Sequence, residues 1–231
     1  MMAWITVVLA LAVCWAAQGA PLRVLCMGDS ITKGARSGVT EEQTYEAVLQ
    51  ARLVAAGLEV EVSNAGIGGE RTDMAVKRLE GEMKTRAPLL VTIMYATNDA
   101  AVDQGHTASR LPLAVYEENL RVMVRMVRQQ GATAVLMTPI PLGRKFAYMA
   151  WSPYREQGPN WAMLPYVQAV RRVAVEEAAP VVDHFAQWAE LALMGKDLDE
   201  LMLDGCHPNP EGQKVVAEAM LPVVERVLRG R

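Results

Sequence analysis

The sequence predicts an α/β protein: a five-stranded parallel sheet covered by helices on both faces. Three observations carry that prediction. Short apolar, β-branched runs alternate along the chain with segments of helical period. The runs at 89–95 (LLVTIMY) and 132–138 are continuously apolar or β-branched, as strands buried on both faces are. The 231 residues, 52 % of them hydrophobic, supply the core of one large domain, and no linker-like stretch divides them.

Each element follows in order. Residues 22–27 (LRVLCM) read as the first strand, ended by Gly28. Val48, Leu49, Leu53 and Val54 form a helical stripe within 43–56 that stops at Gly57. Residues 58–63 are strand-like and run into a glycine-rich loop, Asn64-Ala65-Gly66-Ile67-Gly68-Gly69. A helix over 72–85, the strand at 89–95, a helix over 116–130 ending at Gly131, and the strand at 132–138 come next. The chain closes with a helix at 163–178, a minimal strand at 181–183, a helix at 185–194 and a last helix at 211–228. Asn209 caps that last helix, with Pro210 at its first position and the Glu211 carboxylate early, where the helix dipole favours it. Residues 139–166 are too long and irregular for a routine connection, and such loops in compact domains are functional or disordered. Phe146, Tyr148, Trp151, Tyr154, Trp161 and Tyr166 argue against disorder here.

Composition removes several function classes. The net charge of −3, with no long run of either sign, leaves no basic stripe for nucleic acid. Residues 1–20 hold no Asp, Glu, Lys or Arg and end in small residues, as a secretory leader does. Cleavage after Gly19 or Ala20 gives an exported domain over 21–231; an uncleaved anchor and a lipoprotein signal ending at Cys14 are the alternatives. No other stretch approaches membrane length, so no stable insertion is expected after cleavage. Cys26 and Cys206 make one bridge at most, and no Cys/His cluster points to a metal. Cys26 reads as a buried core thiol and Cys206 as a small residue beside His207, with a bridge between them the alternative.

In parallel sheets ligands bind beyond the carboxyl ends of the strands, and the chemistry-bearing residues fall there. The first strand runs into Gly28-Asp29-Ser30-Ile31, presenting a hydroxyl at that edge. A free serine is a weak nucleophile and needs a general base oriented by a third group. Asp204 and His207, three apart in Asp204-Gly205-Cys206-His207-Pro208-Asn209, supply such a pair. The third strand ends Ala96-Thr97-Asn98-Asp99, adding an amide, and the Gly66/Gly68/Gly69 loop can add a backbone N–H.

GDSI, NAGIGG, ATND and DGCHPN, in this order and spacing, resemble the four blocks of the SGNH hydrolases, or GDSL lipases/esterases, over essentially the whole domain. The resemblance implies a flavodoxin-like three-layer α/β/α sandwich and Ser-His-Asp ester hydrolysis without metal or cofactor. It matches Ser30 to the nucleophile, His207 to the base and Asp204 to the acid. It matches the oxyanion hole to the Ser30 and Gly69 N–H groups and the Asn98 side-chain amide. One departure stands out: the family has glycine where this chain has Ala96, two residues before Asn98. The methyl is expected to narrow the pocket; if the position requires a positive φ, it costs about 1 kcal/mol instead.

Other residues have plain readings beside functional ones. Asp29 and Asn64 tie their turns together through backbone N–H groups. His184 is read as a surface or capping residue and His106 as solvent-exposed. Arg71 pairs with Asp73 or reaches a substrate carboxylate or hydroxyl near Gly69. Tyr95 with Ala96 forms a small acyl pocket. Trp151, Tyr154 and Trp161 either pack the long loop or stack on a sugar and line the acyl site. These features favour an exported esterase for short acyl groups, acetyl on carbohydrate in particular. A lysophospholipase or thioesterase with Met149, Met163 and Leu164 along its groove is the competing enzyme. A glycan-binding protein with a silent site, and a flavin module of flavodoxin type, are the readings from other classes.

Overall fold

The computed structural model describes residues 20–230; the leader expected at 1–20 lies outside them apart from Ala20. Five strands form one sheet: β1 (Leu22–Gly28), β2 (Val60–Gly66), β3 (Leu90–Met94), β4 (Thr133–Met137) and β5 (Val181–Val182). Every neighbouring pair is parallel and the order is β2-β1-β3-β4-β5, the doubly wound arrangement expected. The helices are α1 (Ser30–Lys33), α2 (Tyr45–Ala55), α3 (Thr72–Arg86), α4 (Leu113–Gln129), α5 (Tyr154–Gln157), α6 (Leu164–Glu176), α7 (His184–Leu193) and α8 (Pro210–Arg229). All long elements stand within a few residues of their sequence-predicted bounds. The one-turn pieces α1 and α5, and the 3-10 turns at Ala147–Ala150 and Leu198–Leu201, were not legible because a single turn carries no period.

Alternation along the strands builds two cores. Leu25 and Met27 of β1, Val91 and Ile93 of β3, and Ala134 and Leu136 of β4 face α3, α4 and α6. Val24, Cys26, Leu90, Met94, Val135 and Met137 point the other way, onto the layer of α2, α7 and α8. The result is a three-layer α/β/α sandwich whose strands β3 and β4 are apolar apart from Thr92 and Thr133, because both faces are covered. Among the described residues no helix is long and apolar enough to cross a membrane.

The order of the sheet reverses at β1, so the exits of β2 and β3 flank the exit of β1. The loops must come very close there. A Cβ on Gly66 would lie 2.1 Å from the Lys33 backbone nitrogen, so only glycine lets β2 end against α1. Asn64 ties the same two segments, its amide donating to the Thr32 carbonyl at 2.8 Å and its oxygen accepting from Gly66 N–H at 2.8 Å.

His184 is a correction. It is fully buried at the start of α7, and neither ring nitrogen has a hydrogen-bond partner. Asp183 caps α7 through Ala186 N–H and is gripped by Arg171 and Thr138, which draws the first turn of the helix onto the sheet edge. Burial lowers His184 from 6.5 to about 4, with Asp183 and Gln187 pulling the other way. Between those pH values the unfolded chain takes up a proton that the folded one refuses. His184 therefore imposes no such penalty above about 6.5, and stability is lost as pH falls toward 4. The shift corresponds to about 3 kcal/mol over that window. In urea titrations at pH 7 and pH 4, His184→Leu should lose less stability on acidification than the parent by about that amount. Equal losses would show that His184 does not set acid sensitivity.

Candidate active site

Ser30 occupies the first position of α1, directly after β1, with Asp29 as the helix cap. Asp29 is buried; its carboxylate accepts from Ile31 N–H at 2.8 Å and, on the other oxygen, from the Asn98 amide at 3.3 Å. Burial pushes Asp29 up to about 7 against the pull of the Ile31 N–H, and the Asp99 and Glu70 carboxylates push the same way. The Ser30 carbonyl accepts from Arg36 at 2.7 Å, which fixes the backbone behind the serine hydroxyl.

From the other end of the chain, the loop before α8 brings His207 to Ser30. Serine Oγ and His207 Nε2 are 3.0 Å apart, and His207 Nδ1 lies 2.7 Å from Asp204 Oδ2. The second Asp204 oxygen accepts the backbone N–H groups of Cys206 and His207 at 3.0 and 2.8 Å. Burial raises the Asp204 pKa, but the His207 ring and these N–H groups outweigh it and hold the carboxyl below its ordinary value. An ionised Asp204 can only accept, so Nδ1 carries the proton and Nε2 turns its lone pair to Ser30. Gly205 makes the loop possible: its φ is +78°, and an added Cβ would stand 2.2 Å from the Phe146 backbone nitrogen. Asn209 caps α8 at Gly212 N–H, as read from the sequence, and anchors the loop further by donating to the Glu200 carbonyl at 2.7 Å.

The expected donors leave β2 and β3, the two strands that flank β1. Asn98 leaves β3 and directs its amide nitrogen at the Glu70 carbonyl, 3.1 Å away, as well as at Asp29. Gly69 sits in the exposed turn after β2 with φ +75°, one residue before Glu70. Ala96 has a φ of +122° and is fully buried. It therefore does not narrow the pocket: the methyl is held in a strained backbone conformation, the case that costs about 1 kcal/mol. Cys26 and Cys206 are both buried and unbridged; burial pushes the Cys26 thiol up to about 12.

A pocket of about 280 Å³ opens over Ser30, Asn98, Asp204 and His207. Its remaining walls are Thr97, Ala101, Arg110, Phe146, Ala147, Tyr148 and Cys206. None of the five substrate-contact residues expected from the sequence lies among them. Tyr95 is 1 % exposed, and its hydroxyl donates to Glu70 at 2.7 Å. Arg71 makes the plain ion pair with Asp73, at 3.0 Å. Tyr154 is buried and accepts Val102 N–H on its hydroxyl at 3.0 Å. Trp151 and Trp161 pack around it in an aromatic cluster, and Trp161 borders a separate hollow lined by Val102, Leu113 and Tyr166. The long loop thus offers Phe146 and Tyr148 to the pocket, two rings stacked 4.7 Å apart. At the rim, Asp103 accepts from Arg110 at 2.7 and 2.9 Å and from the Tyr148 hydroxyl at 2.9 Å. The Arg110 bond lowers Asp103 to about 2, so the rim carries a fixed carboxylate–guanidinium pair. Thr97, Ala101 and Cys206 were discoverable as neighbours of the motif residues; Arg110 had no sequence signal.

A doubly wound sheet whose carboxyl edge holds serine, histidine and aspartate in hydrogen-bonded series is the framework of an ester-hydrolysing α/β enzyme. The chain belongs to the GDSL-like Lipase/Acylhydrolase family, whose model matches residues 26–215. It is 30 % identical over 226 residues to the isoamyl acetate-hydrolyzing esterase 1 homolog of Bos taurus, covering 91 % of this chain and 85 % of that one. Esterase TesA of Pseudomonas aeruginosa is 28 % identical, with 91 % and 92 % of the two chains covered. Among solved structures, a catalytic mutant of Axe2, an acetylxylan esterase from Geobacillus stearothermophilus, superposes with a TM-score of 0.70. It is 26 % identical, and the likeness covers 89 % of this chain and 94 % of that one.

Proposed function

We propose that the protein is an exported serine esterase that removes short acyl groups, acetyl foremost, from carbohydrate esters. The observation that carries the reading is the series Ser30–His207–Asp204, with contacts of 3.0 and 2.7 Å. Ser30 Oγ attacks the ester carbonyl while His207 Nε2 takes its proton, and Asp204 stabilises the imidazolium. Negative charge on the carbonyl oxygen is met by the Ser30 and Gly69 N–H groups and the Asn98 amide. The Asn98 contact with Asp29, the longer of its two, yields to the oxyanion. Each such donor contributes roughly 3–4 kcal/mol to the transition state. His207 then protonates the departing alcohol, and water activated by the same imidazole frees the acid from Ser30. No step draws on a metal or cofactor.

The size of the pocket supports a small acyl group. Thr97, Ala101 and Phe146 line both it and a neighbouring space of only about 10 Å³ that Leu142, Tyr154 and Met163 also bound. The stacked Phe146 and Tyr148 rings and the Arg110–Asp103 pair at the rim suit a sugar, with a ring face for the pyranose and polar groups for its hydroxyls. Relatives named for isoamyl acetate and acetylxylan support acetate as the acyl group. Export rests on the apolar leader at 1–20.

Hydrolysis of p-nitrophenyl esters from acetate to palmitate, alongside release of acetate from acetylated xylan, tests the reading. Activity should fall steeply beyond butyrate. A maximum at octanoate or longer would replace it with a lysophospholipase or thioesterase. Folded protein inactive at every length and on the glycan would point to a glycan-binding protein on the same fold. Phe146 gives the finer test. Phe146→Ala should open the pocket toward Met163 and raise the octanoate-to-acetate ratio of kcat/KM about tenfold or more. An unchanged profile in Phe146→Ala and in the milder Phe146→Leu would remove Phe146 as the limit on acyl length.

A further inference from the structure

Glu70 carries a buried charge that the mechanism above does not use. It follows Gly69 in the turn before α3, is 2 % exposed, and its side-chain carboxylate accepts three groups. Arg78, two turns along α3, donates Nε to one oxygen at 2.7 Å and Nη2 to the other at 2.6 Å. Tyr95 adds its hydroxyl at 2.7 Å. Arg78 also donates to the Ala65 carbonyl on β2 at 2.5 Å, while the Glu70 carbonyl accepts the Asn98 amide at 3.1 Å.

Gly69 leaves β2, Asn98 leaves β3, and these strands lie on either side of β1, which delivers Ser30. Glu70 is joined by one peptide bond to Gly69, by its carbonyl to Asn98, and by its side chain to Tyr95, three residues before Asn98 on the same exit. It therefore bridges the two loops across the nucleophile. Burying an ion pair is a poor way to gain stability, because desolvation offsets the attraction. It is an effective way to fix groups in one geometry, since bidentate charge-assisted bonds are short and directional. A lone carboxylate here would oppose a nearby oxyanion; Arg78 neutralises it.

We propose that Glu70, Arg78 and Tyr95 form a brace that positions the Gly69 and Asn98 donors of the oxyanion hole, with Glu70 as the central positioning residue. This rests on the serine-esterase reading and on Asn98 as a donor. Tyr95→Phe deletes one hydroxyl and keeps the ring packed, so it isolates the brace from the core. On p-nitrophenyl acetate it should lower kcat about tenfold, short of the roughly 10²–10³ for removing a donor outright, with KM within twofold. Inactivation by diethyl p-nitrophenyl phosphate, whose phosphoryl oxygen needs the same donors, should slow in parallel. Glu70→Gln should act in the same direction and more strongly. In an Asn98→Ala background, Tyr95→Phe should cost a smaller factor than it does alone, because only the Gly69 donor is left for the brace to position.

Normal kcat in Tyr95→Phe and Glu70→Gln with only a lower melting temperature would overturn the brace and leave a structural ion pair. Losses that multiply in the double variant would overturn its action through Asn98. Full activity in Asn98→Ala itself would sink the donor assignment and the brace together. If Glu70→Gln does not fold, Tyr95→Phe and its double variant decide the matter alone.

Discussion

Ser30→Ala should lose turnover on p-nitrophenyl acetate by a factor of about 10⁵–10⁶ while folding normally. The size of the loss follows from the mechanism: without Oγ no acyl-enzyme forms, and only hydrolysis by water held near His207 and the donors remains. The intact fold follows from what the side chain does. Ser30 is half-buried, and its hydroxyl contact is with His207 at 3.0 Å. The contacts that build the turn, from the Arg36 guanidinium and Gly34 N–H to the Ser30 carbonyl and from Ile31 N–H to the Asp29 carboxylate, survive the change. Circular dichroism and thermal melting should match the parent. Turnover within tenfold of the parent, in protein free of contaminating esterase, would place the chemistry on another group.

The hydrogen-bonded series Ser30–His207–Asp204 was legible in the sequence because each member sits beside a local signal. Gly28 and Gly66 mark strand ends where backbones meet too closely for a side chain, and Pro210 with Asn209 fixes the start of α8 and so the loop that carries His207. The walls of the pocket were not legible. They come from 97–110 and 142–166, whose path is set by contacts between the two loops, such as Tyr154 with Val102 and Tyr148 with Asp103, and no period records those. Tyr95 was misplaced for a different reason, and the sequence held the correction. Val91, Ile93 and Tyr95 share one side of β3 and its extension, and all three lie in the core under α3 and α4. Period two along the strand sends Tyr95 down into that layer instead of up toward substrate. His184, beside a helix-start aspartate, reads as a surface or capping group; Asp183 does cap the helix, but the first turn carries the next residue inward.

His207→Ala should match Ser30→Ala in size, since nucleophile and base act as one unit. Asp204→Asn separates the acid from that unit. An amide at 204 can donate to Nδ1, which favours the imidazole with its proton on Nε2, facing Ser30 in the wrong sense for a base. Where the aspartate is buried, that error costs about 10⁴ in kcat. Asp204 is more open, its side chain 54 % exposed, so water can share the imidazolium charge. A loss nearer about 10³ is expected here. The loop should keep its shape, because an asparagine oxygen still accepts the N–H groups of Cys206 and His207 that Asp204 now holds at 3.0 and 2.8 Å. The decisive comparison is His207→Ala against the His207→Ala/Asp204→Asn double variant at one pH. If Asp204 works only through the imidazole, the second change costs nothing once the ring is gone. A further tenfold fall would mean that the carboxylate acts on the reaction directly, and the roles of the two residues would have to be redrawn.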